Sequence, residues 1–295
     1  RGVINVPASY RDRLNTLIEA KQSRVCVGLD PRYGRLPAGL RREVEDLTDA
    51  AALRTAEAYR RFCRGIIEAV APYAVAVKPQ LAFFEAAGPA ALGALTDVID
   101  YAREHELLVI ADAKRGDIGS TAAAYAAAFL DDDAPFPVDA VTVNPYLGGD
   151  SVEPFLETAA GSGRGVYVLV RTSNPGAAEL QDLELADGRP LWRAAANLVA
   201  AWAEKYPGAV GWVFGATRPE ELGSALVQLG ELPLLLPGYG AQGAGAADVA
   251  AALEGPALVN SSRGIIFAFE DSKLNWRQAV ARAALRMQEE LADPA

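Results

Sequence analysis

Eight short apolar runs, rich in β-branched residues and each closed by polar residues or glycine, recur along the 295-residue chain. They are VCVGLD (25–30), AVAVKPQ (74–80), LLVIADAK (107–114), AVTVNP (140–145), VYVLVRTS (166–173), GWVFGAT (211–217), PLLLPG (233–238) and ALVNSS (257–262). Their apolar residues are nearly continuous rather than alternating, as in parallel strands covered on both faces. Ala-, Leu- and Glu-rich stretches at helical spacing lie between them. Residues 10–22 follow Ser9 as a candidate cap, and 50–70 and 192–205 carry apolar residues three and four apart. Pro219 takes the favoured first-turn position of another helix, and Asp271 or Ser272 is the expected cap of a last one reaching about Leu291. Eight strand–helix units in a row predict a TIM (β/α)8 barrel with extra N- and C-terminal helices. An open doubly wound sheet is the alternative, but VCVGLDPRYG lacks the G-x-G-x-x-G of its nucleotide site. No linker separates two compositions, so residues 1–295 read as one barrel domain with a core of about 25–267.

Acidic residues outnumber basic ones, 38 to 28, and the two are interspersed without a Lys/Arg stripe, which argues against nucleic acid as a partner. No apolar run nears the roughly 18 residues of a membrane span. The opening RGVINVPASYRDRL lacks the apolar centre of a signal peptide. Two cysteines, Cys26 and Cys63, cannot build a disulfide framework and fit a reducing cytoplasm; Cys26 reads as a buried structural thiol. The single histidine, His105, excludes multi-histidine zinc sites. Between Glu104 and Glu106, it reads as a solvated surface residue. Catalysis must then come from Lys, Asp, Arg and the backbone.

Barrels carry their chemistry at the C-terminal strand ends. Those ends hold Asp30, Lys78, Asp112 and Lys114, Asn144, Arg171 to Ser173, Pro237-Gly238, and Ser261 to Arg263. Charges of both signs gathered at one rim point to a polar ligand, although any single strand end can simply meet water. Side chains two apart share a strand face, so Asp112 and Lys114 both point into the mouth. Gly116 then turns the chain and brings Asp117 back near them. An ammonium between two carboxylates is favoured in its charged form, which suits Lys114 to proton donation rather than to a Schiff base. The same spacing also fits an ion-pair network that only stiffens the rim. After the last two strands, PGYGAQGAGA (237–246) and NSSRG (260–264) set glycine-rich backbone beside Arg263, as a phosphate monoester needs. Those glycines also fit tight turns alone. The polar stretch SNPGAAELQDLELADGRP (173–190) is expected to be a mobile flap.

Taken together, D112-A-K114-R-G-D117-I-G-S-T121, VCVGLD30, VK78PQ, TVNPYLGGD, VRTS173NPG, PGYGAQ242G and NSSR263GI resemble the orotidine 5′-phosphate decarboxylases, most closely their longer bacterial branch. The resemblance runs from about Val25 to Phe267 with the motifs in family order. It implies a cytoplasmic, cofactor-free and metal-free decarboxylase that converts orotidine monophosphate to UMP, usually as a homodimer with active sites at the subunit interface. It implies that Asp30 holds the ribose and that Lys78, Asp112, Lys114 and Asp117 form a charged array. Asp117, with Ile118 and Thr121, is expected from the partner subunit. Ser173 is implied at the pyrimidine ring, Gln242 and Arg263 at the phosphate, and Pro237 as a further substrate contact. Ser120 stands where some relatives have Asn, and the 174–190 segment is longer than in short members. Two rivals remain. A metal-dependent sugar-phosphate lyase shares D-x-K-x-x-D but needs carboxylates for Mg²⁺ at the second strand end, where Lys78 repels the ion. A catalytically silent phosphoribosyl-binding protein would lack Lys114 or Asp112, and both are present.

Overall fold

All eight apolar runs form strands, within three residues of the bounds read from sequence. They are β1 (Val25–Leu29), β2 (Ala74–Pro79), β3 (Leu108–Arg115), β4 (Ala140–Val143), β5 (Gly165–Arg171), β6 (Val210–Phe214), β7 (Leu234–Pro237) and β8 (Ala257–Ser261). In this computed structural model, which describes residues 8–240 and 243–294, neighbouring strands pair in parallel and in sequence order. The barrel closes where Val25, Cys26 and Val27 of β1 pair with Val259, Asn260 and Ser261 of β8. The continuous apolar pattern has a direct cause. Cys26, Ile110, Tyr167, Val213, Leu235 and Leu258 fill the barrel interior, while Val27, Val77, Val109, Val141, Val168 and Val259 pack outward against helices. Both faces of each strand are therefore dry.

The helix Tyr10–Lys21 starts at Ser9, whose hydroxyl accepts from the backbone N–H of Asp12. Its Tyr10 and Leu14 join the interior cluster, and the Tyr10 hydroxyl lies 2.9 Å from that of Tyr167. Tyr167 sits early in β5, so this helix plugs the N-terminal end of the barrel and leaves the C-terminal mouth for ligands. The helices Ala51–Val70, Leu191–Lys205 and Pro219–Leu229 match their sequence signals, with Pro219 in the first turn. The last helix, Trp276–Ala292, differs: Asn275 caps it by accepting from the Arg277 N–H, whereas Asp271 and Ser272 lie in the preceding turn. His105 also differs. It is half-buried, with its ring against Tyr101 and Nδ1 2.9 Å from the Tyr101 carbonyl. Cys26 and Cys63 are buried and unpaired, and burial pushes the Cys26 thiol up to about 12. Among the described residues, no helix is long and apolar enough to cross a membrane.

Candidate active site

Asp112, near the end of β3, is the hub of the barrel mouth. It is 7% exposed and accepts from four side chains. Lys78 Nζ, from β2, donates to its Oδ2 at 2.6 Å, and Gln80 Nε2 donates to the same oxygen at 3.0 Å. Lys114 Nζ and the Thr142 hydroxyl, the latter at 3.2 Å, donate to Oδ1. Burial alone would raise the Asp112 carboxyl pKa, but Lys78 and Lys114 outweigh it and hold the group well below the usual carboxylate range. Burial alone would lower Lys78, yet Asp112 and Asp30 raise it above the ordinary lysine value. Both charges thus persist in a dry setting because each answers the other.

Lys114 reaches Asp112 through a local break in the sheet. The β3–β4 register shifts between Ala111 and Arg115, and Lys114 adopts a left-handed φ of 46°. Its own N–H leaves the ladder and donates to the Thr142 hydroxyl at 3.0 Å. A non-glycine residue in this conformation is strained, and such strain gathers where a side chain must be aimed. The result is an ammonium anchored to Asp112 with a side chain still 47% exposed at the mouth. Two ammoniums share one carboxylate, so the cluster favours a further negative charge arriving beside Lys114. Arg115 turns away and pairs with Glu85.

Not every expected residue converges on this hub. Asp117 does not come back to Lys114 within the chain: its Oδ1 accepts from the Ile118 N–H, and among the described residues it pairs with no lysine. Ile118 and Thr121 are exposed on the same loop and helix start. Asn144, exposed just past β4, caps the short turn Pro145–Leu147, its Oδ1 accepting from the Tyr146 N–H. Arg171 is also redirected. A register shift between Leu169 and Arg171 turns it out of the mouth, fully buried, onto Glu221, Gln181 and Asp182. The 174–190 stretch, read from sequence as a mobile flap, carries short helical turns at Pro175–Ala177 and Ala178–Gln181, and its Gln181 and Asp182 accept from Arg171.

The remaining expected residues lie at or just past the C-terminal strand ends. Asp30 Oδ1 is buried without a hydrogen-bond partner at the end of β1, an acceptor suited to a hydroxyl. Ser173 and Pro237 are half-buried just beyond β5 and at the end of β7. The loop after β7 turns through positive φ at Gly238, Gly240 and Gly243, and Arg263 is exposed just after β8. Gln242 lies outside the described residues. Gln80 and Thr142 had no assigned role from sequence. Gln80 stands two residues past Lys78 on one face, and Thr142 is a hydroxyl amid the apolar AVTV, so period-two reading flags both. Among the described residues, no group of three His, Cys, Asp or Glu is arranged to hold a metal ion.

The profile of the orotidine 5′-phosphate decarboxylase / HUMPS family matches residues 23–279. An orotidine 5′-phosphate decarboxylase of Rhodopirellula baltica is 44% identical over 303 residues, covering 96% of this chain and 99% of its own. One from Haloarcula marismortui is 46% identical over 268 residues, covering 89% and 88%. Among solved structures, a Streptomyces avermitilis chain described as an orotidine 5′-phosphate decarboxylase superposes with a TM-score of 0.79 at 36% identity, covering 99% of this chain and 98% of that one.

Proposed function

The chain belongs to the orotidine 5′-phosphate decarboxylase / HUMPS family, and we propose how its own residues perform the reaction. It is a carboxy-lyase that converts orotidine 5′-phosphate to UMP in pyrimidine biosynthesis. The observation that carries the mechanism is the Lys78–Asp112–Lys114 array, with Lys114 alone open to the mouth. Breaking the C6–carboxylate bond releases CO₂ and leaves the electron pair on C6, in the ring plane, where no carbonyl conjugates with it. Electrostatic stabilisation must then do what an electron sink does elsewhere. Lys114 Nζ stands beside C6, stabilises the developing charge and delivers its proton there; solvent then reprotonates the amine. With four donors on Asp112, its charge is largely answered within the protein. That favours a role in aiming Lys114 over one in repelling the substrate carboxylate.

Asp30 takes a ribose hydroxyl, and Ser173 and Pro237 meet the ring. Arg263, Gln242 and the glycine-rich backbone after β7 hold the phosphate, whose binding energy orients the ring at a distance from C6. Arg263→Ala is expected to raise the KM for orotidine monophosphate roughly 10- to 100-fold, the worth of one charged hydrogen bond or a pair. Binding of the unphosphorylated nucleoside should change little. Equal effects on nucleotide and nucleoside would remove Arg263 from the phosphate site.

A homodimer with shared sites is the second part of the proposal. Its support is that Asp117 makes no ion pair with Lys114 in its own chain among the described residues. Ile118, Tyr146 and Leu147 also stand 53%, 72% and 49% exposed on the loops after β3 and β4. Sedimentation over a dilution series should show a dimer; a monomer with full specific activity would contradict the shared site. The protein needs no metal or cofactor in this scheme. Lys78 at the end of β2 weighs against the Mg²⁺-dependent lyase reading. Two buried, unpaired cysteines support a cytoplasmic location.

A further inference from the structure

Ser173 leaves the barrel two residues after Arg171, in a stretch the mechanism above does not otherwise use. We propose that Arg171, Gln181 and Gly215 form a positioning clamp that fixes Ser173 at the mouth, so that the 174–190 segment acts on the pyrimidine ring through Ser173. The inference rests on Ser173 being a ring contact.

The clamp closes from three sides. From below, Arg171 is fully buried and donates to Glu221 at 3.0 Å, to Gln181 at 3.2 Å and to Asp182 at 3.0 Å. From the segment, Gln181 Oε1 accepts both that bond and the Thr172 N–H at 2.9 Å, while its Nε2 donates to the Thr172 hydroxyl at 2.8 Å. That hydroxyl in turn donates to Asn174 Oδ1 at 2.7 Å, so the residues on both sides of Ser173 are held. From just past the end of β6, the Gly215 N–H donates to the Arg171 carbonyl at 2.9 Å. A Cβ on Gly215 would lie 2.9 Å from the Ser173 backbone, so only glycine lets the two chains meet this closely. Among the described residues the Ser173 hydroxyl itself makes no hydrogen bond, in contrast to its neighbours. A polar network this complete, spent on one short bend, fixes where that hydroxyl points.

Arg171 is a poor first target, because its loss strands Glu221 and Asp182 and endangers folding. Gln181→Ala, Gln181→Glu, Ser173→Ala and the Gln181/Ser173 double variant, each assayed by steady-state turnover of orotidine monophosphate, give the test. Gln181→Ala and Ser173→Ala should each lower kcat/KM about fivefold or more. The double variant should fall no further than Ser173→Ala alone, since the clamp works only through that hydroxyl. Gln181→Glu keeps the oxygen that accepts from Arg171 and the Thr172 N–H but loses the donation to the Thr172 hydroxyl, so it should recover part of the loss, and inhibition by inorganic phosphate should be unchanged in all four. Additive losses, or a Gln181→Ala enzyme with wild-type kcat/KM beside an impaired Ser173→Ala, overturn the clamp. A Ser173→Ala enzyme with wild-type kcat/KM instead removes Ser173 from the ring.

Discussion

Lys114→Ala is expected to lower kcat by on the order of 10⁴-fold or more, while the inhibition constant of UMP changes by less than about tenfold. A positioned general acid contributes about 10² to 10⁴ and a preorganised charge about 10² to 10³, and Lys114 supplies both. UMP carries no carboxylate and develops no charge at C6, so it has little to lose from the missing ammonium. The fold should survive, because Lys114 is half exposed and Asp112 keeps Lys78, Gln80 and Thr142. Lys114→Arg should be nearly as inactive, since a guanidinium does not release its proton near neutral pH. Near-normal kcat in either variant would place the proton donor elsewhere.

Asp112→Asn should damage both chemistry and stability. Whichever way the amide is turned, its NH₂ faces a donor pair: Lys78 with Gln80, or Lys114 with Thr142. Lys114 loses its anchor, and kcat should fall about 10²- to 10³-fold. Lys78 stays buried without its counter-charge, which costs about 3–5 kcal/mol at neutral pH. The pH dependence follows from the shifts. The Asp112 pKa is depressed in the folded state, so its contribution is fully present above the unfolded value of about 3.9, begins to fall below it and is lost only as pH falls through the much lower folded value. The Lys78 pKa is raised, so its contribution is complete below about 10.4 and is lost as pH rises through the folded value. Chemical unfolding should show a gap between wild type and Asp112→Asn that holds from pH 7 down to about 4 and only begins to narrow below it. A gap that has already closed between pH 7 and pH 5 would mean the carboxylate charge is not what stabilises the rim.

The barrel was legible because burial on both faces leaves strands that are apolar without alternation. Period two also put Asp112 beside Lys114, and the structure joins them. It did not disclose how. The left-handed φ at Lys114 depends on a register break against β4, which no local pattern in DAKRGD encodes. Arg171 illustrates the converse. A charge closing a strand reads the same whether it meets a ligand or an outer helix, and the shift after Leu169 decides for Glu221. Asp117 cannot be assigned to its own or a partner's site from one chain's sequence, since spacing carries no information about the neighbour. The last helix starts at Asn275 because capping signals at Asp271, Ser272 and Asn275 are locally equivalent, and packing of Trp276 against Phe62 selects among them.

In the proposed mechanism the lysine–aspartate array decarboxylates orotidine monophosphate without metal or cofactor. The most direct measurement of this is the absorbance of the orotate chromophore after chelator-treated, exhaustively dialysed protein is mixed with orotidine monophosphate. Complete loss of that absorbance is expected, with UMP and CO₂ in equal amounts and no acceleration on adding back divalent metal. An unchanged spectrum, or turnover that returns only with metal, would contradict that mechanism.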